Sequence, residues 1–262
     1  MSRYAAMFER LRGEGAFGAF LMLGDPDLST SAVLLDAVVA GGADMVEVGI
    51  PFSDPVADGP VIQAAAKRAL DAGVRVSDCF DLIAGFRARH PHVPVGILTY
   101  ANLVMARGCE DFFHRAAEAG ADSLLVADVP AREAAPWAAE MRAVGLDPVL
   151  IAASNTRPET LAEIARLGSG YTYCVTRAGI TGVHGALEFD RGLIDALREA
   201  GAAPPIFGFG ISTSEQVAAA LATGAAGVIS GSGIVSLASR GGDVAGFVSA
   251  LKAATRNDSP PH

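Results

Sequence analysis

Asp44-Met45-Val46-Glu47-Val48-Gly49-Ile50-Pro51-Phe52-Ser53-Asp54-Pro55-Val56-Ala57-Asp58-Gly59-Pro60-Val61-Ile62-Gln63 holds one complete strand–loop–helix transition. Residues 45–49 form a short apolar strand with a carboxylate, Glu47, inside it. A loop rich in Pro, Asp and Gly follows and brings two more acids, Asp54 and Asp58, before a helical pattern opens at Pro60. A carboxylate in a buried strand is costly unless it is paired or used. The strand is otherwise continuously apolar, as expected where both faces are covered by a parallel sheet's neighbours and helices.

The same unit recurs along the chain. Strands are expected at 15–23, 45–49, 95–99, 123–126, 148–152, 171–175, 205–208 and 227–230. Helices are expected between them: from Ser29 or Thr30 to 39, 60–72, from a Ser77 cap to 89, 109–119, 130–144, 158–167, 190–200, 214–222 and 234–253. Residues 100–102 read as loop. Gly42-Ala43-Asp44, Gly120-Ala121-Asp122 and Gly224-Ala225-Ala226 each end a helix and start a strand, with glycine free to take the left-handed turn. Eight alternating units over this length predict a single (β/α)8 TIM barrel over 1–254, carrying extra N-terminal and loop helices and followed by a flexible polar tail at 255–262. A doubly wound open sheet is the alternative, but Leu23-Gly24-Asp25-Pro26 after the first strand is no dinucleotide fingerprint.

The 262 residues carry a formal charge of −9 and no basic run, which argues against nucleic acid or an anionic membrane as partner. Cys79, Cys109 and Cys174 are unpatterned and read as free thiols. No signal pattern or spanning apolar run stands out, so the cytoplasm is the expected location.

In a barrel, function sits at the C-terminal ends of the strands. Glu47 lies there; desolvation would raise its pKa and suit it to shuttle a proton, the alternative being a carboxylate satisfied by a neighbouring hydroxyl or amide. Asp58 could partner it or merely cap the next helix, and Asp54 reads as a turn residue. Glycine-rich segments follow strands six, seven and eight: Ala178-Gly179-Ile180-Thr181-Gly182, Gly208-Phe209-Gly210-Ile211-Ser212 and Ser230-Gly231-Ser232-Gly233. Such loops turn main-chain N–H groups toward an anion and point to a phosphorylated ligand; tight barrel corners are the plainer explanation. The two lysines, Lys67 and Lys252, lie within helices, which disfavours Schiff-base chemistry. The five histidines form no strand-end pair with zinc-ligand spacing, and His184 reads as a loop residue within reach of a ligand. Acid–base chemistry on a phosphorylated small molecule remains, without a metal or an organic cofactor in this chain.

Over nearly its full length the chain resembles the tryptophan synthase alpha subunit family. The resemblance rests on Leu23-Gly24-Asp25-Pro26, the run from Glu47 to Pro60, Tyr100-Ala101-Asn102, Ala127-Asp128-Val129-Pro130, Gly170-Tyr171-Thr172-Tyr173, Gly179-Ile180-Thr181-Gly182, Gly208-Phe209-Gly210-Ile211-Ser212 and Ile229-Ser230-Gly231-Ser232. It implies retro-aldol cleavage of indole-3-glycerol phosphate to indole and glyceraldehyde 3-phosphate. It further implies Glu47 as the general acid–base residue and Asp58 as acceptor of the indole N–H, with Tyr173 beside them. Thr181 would close the site and orient Asp58. Phe20, Leu98, Tyr100, Leu125 and Phe209 would line the indole pocket, and Gly182, Gly210, Gly231 and Ser232 the phosphate cup. Pro51, Asp54, Pro55 and Asn102 would contact a beta subunit in an alpha2beta2 heterotetramer; indole would pass to that partner, which would hold pyridoxal phosphate. Two stretches depart from many relatives: Val183-His184-Gly185-Ala186-Leu187 is shorter than the usual charged segment, and Ala152-Ala153-Ser154-Asn155-Thr156 lacks a common proline. A stand-alone lyase releasing free indole, or a mainly allosteric partner of the beta subunit, are the competing readings.

Overall fold

A computed structural model describes residues 2–175 and 188–256, and within them the alternation of strand and helix is the expected one. The strands are β1 (Ala16–Met22), β2 (Met45–Gly49), β3 (Val95–Thr99), β4 (Ser123–Val126), β5 (Asp147–Pro148), β6 (Leu150–Ala153), β7 (Thr172–Val175), β8 (Pro205–Phe207) and β9 (Gly227–Ser230). All pair in parallel, in the order β5-β4-β3-β2-β1-β9-β8-β7-β6. β5 and β6 are two pieces of the expected fifth strand, interrupted at Val149. The first piece pairs with β4 and the second with β7, while Val149 N–H donates to Leu124 O at 3.0 Å. One kinked segment thus joins the two ends of the sheet into a barrel of eight staves.

The helices are α1 (Arg3–Arg10), α2 (Leu28–Ala40), α3 (Pro60–Asp71), α4 (Val76–Arg89), α5 (Ala101–Met105), α6 (Cys109–Glu118), α7 (Ala135–Ala143), α8 (Pro158–Leu167), α9 (Arg191–Glu199), α10 (Ser214–Leu221), α11 (Ser232–Ala238) and α12 (Val244–Ala253). Several boundaries differ from expectation for local reasons. Asp27, not Ser29 or Thr30, caps α2, accepting from Thr30 N–H at 2.8 Å. α4 starts two residues earlier than a Ser77 cap would allow, because Asp78 reaches back to Arg75 N–H at 2.8 Å. The expected 130–144 helix is a 3-10 turn at Ala131–Glu133 followed by α7, with Pro136 in its first turn. The expected 234–253 helix is broken at Gly241, whose φ of 66° no helix can continue, and Asp243 caps the second part. Ala101 and Asn102, expected as loop, open the short α5.

Alternate strand residues face opposite ways and build two apolar layers. Phe17, Ala19, Leu21, Val46, Val48, Ile97, Leu124 and Phe207 pack outward against the helices. Phe20, Met22, Met45, Leu125, Tyr171, Tyr173, Ile206 and Ile229 fill the barrel. α1 stoppers the N-terminal mouth with Tyr4 and Met7, both buried in that inner layer.

The repeated Gly-Ala-Asp junctions do the same work twice. Asp44 N–H donates to Phe17 O at 2.8 Å, and its carboxylate accepts Phe17 N–H at 2.9 Å. Asp122 grips Val95 in the same way, at 2.8 Å in both directions. At the third junction the neighbour is Pro205, which has no N–H to give, and the residue there is Ala226, pairing through its main chain alone at 2.8 Å. Each aspartate also gathers cations: Lys252 at 2.7 Å and Arg10 at 3.2 Å on Asp44, Arg87 at 2.6 Å and Arg3 at 2.8 Å on Asp122. Thr255 O accepts Gly15 N–H at 3.1 Å and Arg256 bridges Glu14, so residues 255 and 256 are laced to the segment just ahead of β1; residues 257–262 lie outside the described residues. Asp44→Ala strands a buried N–H and leaves Lys252 short of a partner, and it is expected to cost about 3 kcal/mol or more in urea unfolding.

Candidate active site

Period two along β2 decides where Glu47 points. Met45 and Glu47 share the inward face, while Val46 and Val48 face the helices. Register sets Glu47 beside Phe20 of β1 and Gly96 of β3. A side chain at Gly96 would collide with the hydroxyls of Ser123 and Tyr4, so glycine there leaves room for a buried polar floor. Tyr4 and Ser123 share a hydrogen bond of 2.8 Å, and the Tyr4 and Tyr171 rings stand 5.4 Å apart.

Tyr171 donates its hydroxyl to Glu47 Oε1 at 2.6 Å. Glu47 is 1% exposed. Burial pushes its carboxyl up to about 7, with Asp58 adding to the rise and the Tyr171 hydroxyl opposing it. Tyr171 was not singled out from sequence. Its signal was there: Tyr171 and Tyr173 lie two apart and therefore on one face of β7, the face that looks into the barrel.

Above Glu47 opens a cavity of about 450 Å³. Ten of the residues singled out from sequence line it: Glu47, Asp58, Phe20, Leu98, Leu125, Tyr173, Phe209, Gly210, Gly231 and Ser232. Val61, Ile62, Ala127, Ile151 and Val175 add an apolar wall that sequence reading missed, because nothing marks such residues as other than core. Among the described residues no Lys or Arg lines the cavity. Gly208 lies so close under the Tyr173 ring that a side chain there would clash, and Tyr173 donates to Gly208 O. Gly210 turns at φ 75°, a conformation that favours glycine. Thr181, Gly182 and His184 lie outside the described residues.

Asp58 is not a helix cap. Gly59 takes that position in α3, without a side-chain bond, and Pro60 opens the helix. The Asp58 main chain is held instead, by Gln63 Nε2 donating to Asp58 O at 2.7 Å. Burial pushes its carboxyl above the ordinary value, and the Tyr100 hydroxyl beside it pulls the other way. Tyr100 itself does not line the cavity, contrary to expectation. It is 2% exposed, stands behind the Asp58 loop and accepts Ala57 N–H at 3.3 Å. Of the expected contact residues, Asp54 and Asn102 are exposed, Pro55 is half-buried and Pro51 is buried. Ser53 Oγ donates to Asp54 at 2.5 Å, and exposed Val56 and Met105 flank this face.

The arrangement offers a buried carboxyl poised near neutrality, a second acid on a loop, an apolar slot between them and glycine-lined loops at the rim. Such a site can move a proton to and from an apolar ring and hold an anion by main-chain N–H groups.

A family model described as tryptophan synthase alpha chain matches residues 8–256. The tryptophan synthase alpha chain of Aeromonas hydrophila is 50% identical over 240 residues, covering 90% of each chain. That of Shewanella amazonensis is 48% identical over 267 residues, covering 97% of this chain and all of its own. Among solved structures, an Aquifex aeolicus protein superposes with a TM-score of 0.89 at 33% identity, covering 98% of this chain and 100% of that one. Tryptophan synthase from Mycobacterium tuberculosis gives 0.86 at 29% identity, covering 98% and 99%.

Folded Glu47 keeps its proton over a range in which the unfolded chain, at the ordinary value of 4.5, has lost it, so its contribution to stability falls as pH rises toward about 7 and is flat above. Glu47→Gln keeps the Tyr171 bond and removes that cost. It is expected to stabilise the protein by up to about 3 kcal/mol at about pH 8 and by nothing at about pH 4, read by denaturant unfolding.

Proposed function

The chain belongs to the tryptophan synthase alpha chain family, and from that premise we propose that its cavity cleaves indole-3-glycerol phosphate to indole and glyceraldehyde 3-phosphate with Glu47 and Asp58 as the acid–base pair. The family's role is the alpha-subunit step of tryptophan biosynthesis, a lyase reaction, in company with a beta subunit. The observation that carries the residue assignment is the Glu47 carboxyl, buried at the cavity floor and raised to about 7.

A carboxyl with that pKa has both forms available at neutral pH, which this reaction uses in turn. Protonated Glu47 gives its proton to C3 of the indole ring, turning it into the indolenine cation. Asp58, ionised, accepts from the ring N–H and steadies the positive charge there. The glycerol hydroxyl on the adjoining carbon then loses its proton to the Glu47 carboxylate. The O–H electrons form the aldehyde C=O, the C–C bond breaks, and its electron pair returns to the ring as indole. Glu47 ends protonated, as it began. Tyr171 holds the carboxylate in either state by donating to Oε1.

Phe20, Leu98, Leu125 and Phe209 supply the apolar slot for the ring, with Tyr173 at the acid pair. The phosphate lies against main-chain N–H groups at Gly210, Gly231 and Ser232 and the Ser232 hydroxyl, a neutral cup suited to a cavity without a cationic side chain among the described residues. Thr181 and Gly182, which the resemblance assigns to the substrate, lie outside the described residues. The exposed face around Asp54, Pro55 and Asn102 meets the beta chain in an alpha2beta2 assembly, and indole passes to it.

Indole release from indole-3-glycerol phosphate, measured with and without a beta chain, tests the assignment. Glu47→Gln and Asp58→Asn are each expected to lower kcat by about 10²–10⁴-fold with an unchanged circular dichroism spectrum. Either variant turning over at the wild-type rate would remove that residue from the mechanism.

A further inference from the structure

Tyr100 has a position that neither a substrate wall nor a core residue needs. It closes β3 and opens α5, so the next two residues are Ala101 and exposed Asn102. Its ring packs against Phe52 with centroids 5.4 Å apart and planes at 31°. Phe52 lies directly between Pro51 and the exposed pair Ser53-Asp54. The Tyr100 hydroxyl accepts the N–H of Ala57, the residue before Asp58, at 3.3 Å. Its carbonyl takes the N–H groups of Leu103 and Val104 at 3.1 and 3.4 Å, which ties α5 to the same residue. One residue therefore touches the Phe52 segment with its ring, the loop that carries the second acid with its hydroxyl, and α5 with its main-chain carbonyl.

We propose that Tyr100 is a positioning residue for Asp58 and the physical link between Asp58 and the face at Phe52–Pro55 and Asn102, so that a chain docked on that face adjusts the acid through it. The inference rests on the functional reading above, and deepens it by naming how the partner reaches the active site. Docking that presses on Pro55 or Asn102 has a short route inward. Phe52 leans on the Tyr100 ring, and the Tyr100 hydroxyl holds the Val56–Ala57 peptide, one residue ahead of Asp58. Beyond Asp58, Gln63 fixes the carbonyl of the same residue, so the loop turns about a held point rather than floating. Glu47 has no such route: it sits in mid-strand and is bonded to Tyr171 on the far side of the barrel.

The charged and titratable groups acting on this pair are few. Glu47 and Tyr173 interact with Asp58, and Asp128, whose carboxylate accepts Ala101 N–H at 2.7 Å, acts on Tyr100. The Tyr100 hydroxyl favours the ionised form of Asp58, the form that accepts the ring N–H. Its loss therefore moves the acid limb of activity toward higher pH.

The test uses full-length chains, indole-3-glycerol phosphate as substrate and a beta chain added to saturation. In Tyr100→Phe, binding of the beta chain and KM are expected to stay within about twofold of wild type. Stimulation by the beta chain is expected to fall by about tenfold or more, and the acid limb of kcat/KM to move up in pH. Phe52→Leu, which keeps the hydroxyl but loses the ring contact, is expected to lose stimulation and keep the wild-type acid limb. A residue that merely lines the pocket would instead raise KM and leave stimulation intact. Wild-type stimulation in Tyr100→Phe overturns the inference. A wild-type chain that cleaves the substrate but is not accelerated by the beta chain also overturns it, while leaving the cleavage reading in place. Absence of cleavage by the wild-type chain under any condition overturns the functional reading itself.

Discussion

A carboxylate sealed inside a barrel is the constraint on which the rest of this structure turns. Glu47 is 1% exposed, and among the described residues Tyr171 is its one hydrogen-bond donor. Desolvating an ionised carboxylate is severe, so the group holds its proton until about pH 7. That outcome needs a closed interior. An open sheet would admit water along its edge and let the pKa fall back. It also needs a floor tight enough to keep Tyr171 in place. Gly96 lacks a side chain where the hydroxyls of Ser123 and Tyr4 gather, and α1 brings Tyr4 there from outside the barrel. The chain's first helix thus contributes to the chemistry although it lies at the opposite mouth.

Closure in turn depends on anchoring the start of each strand. Asp44 and Asp122 do this by extending the ladder one residue beyond the strand, main chain and side chain gripping the same neighbour. The device requires a neighbour with an N–H. Where that neighbour is Pro205, the aspartate is absent and Ala226 stands in its place. The same two carboxylates draw in the cations that tie α1, α4 and α12 to the barrel's base. Buried ion pairs are weak evidence of net stability, but losing one partner of such a cluster is costly. These acids therefore act as fixed points, and their chemistry is spent on architecture, whereas Glu47 is left with a single neutral donor.

Most of this was readable in the sequence where the signal is local or periodic. The alternation of apolar runs with helical patterns predicted the barrel, and Gly42, Gly120 and Gly224 do turn at φ of 97°, 90° and 91° at the junctions. What escaped depends on contacts far apart in the chain. Tyr171 meets Glu47 across 124 residues, and no local pattern reports that. The break at Val149 follows from one segment having to pair with β4 and β7 in turn. The resemblance puts Tyr100 in the pocket wall together with Leu98, which does face the cavity. Leu98 and Tyr100 lie two apart, so period two alone puts both inward. The strand ends at Thr99, and the turn into α5 releases Tyr100 from the alternation and carries it behind the Asp58 loop.

The two acids are consequently held by different kinds of constraint, and this bears on how such a site can be regulated. Glu47 is placed by strand register: moving it means moving β2 against β1 and β3, along every main-chain bond that joins them. Its geometry is as rigid as the barrel. Asp58 is placed by one main-chain bond within its loop, its N–H on Pro55 O at 3.3 Å, and by two side-chain contacts, Tyr100 on Ala57 and Gln63 on the Asp58 carbonyl. Single hydrogen bonds of that kind contribute about 1 kcal/mol each, within reach of what a docking surface can supply or withdraw. A proton donor fixed in the fold and an acceptor hung on adjustable contacts divide the labour. The first keeps the difficult pKa whatever is bound outside. The second can be brought to the ring or held off it by a neighbour that never enters the cavity.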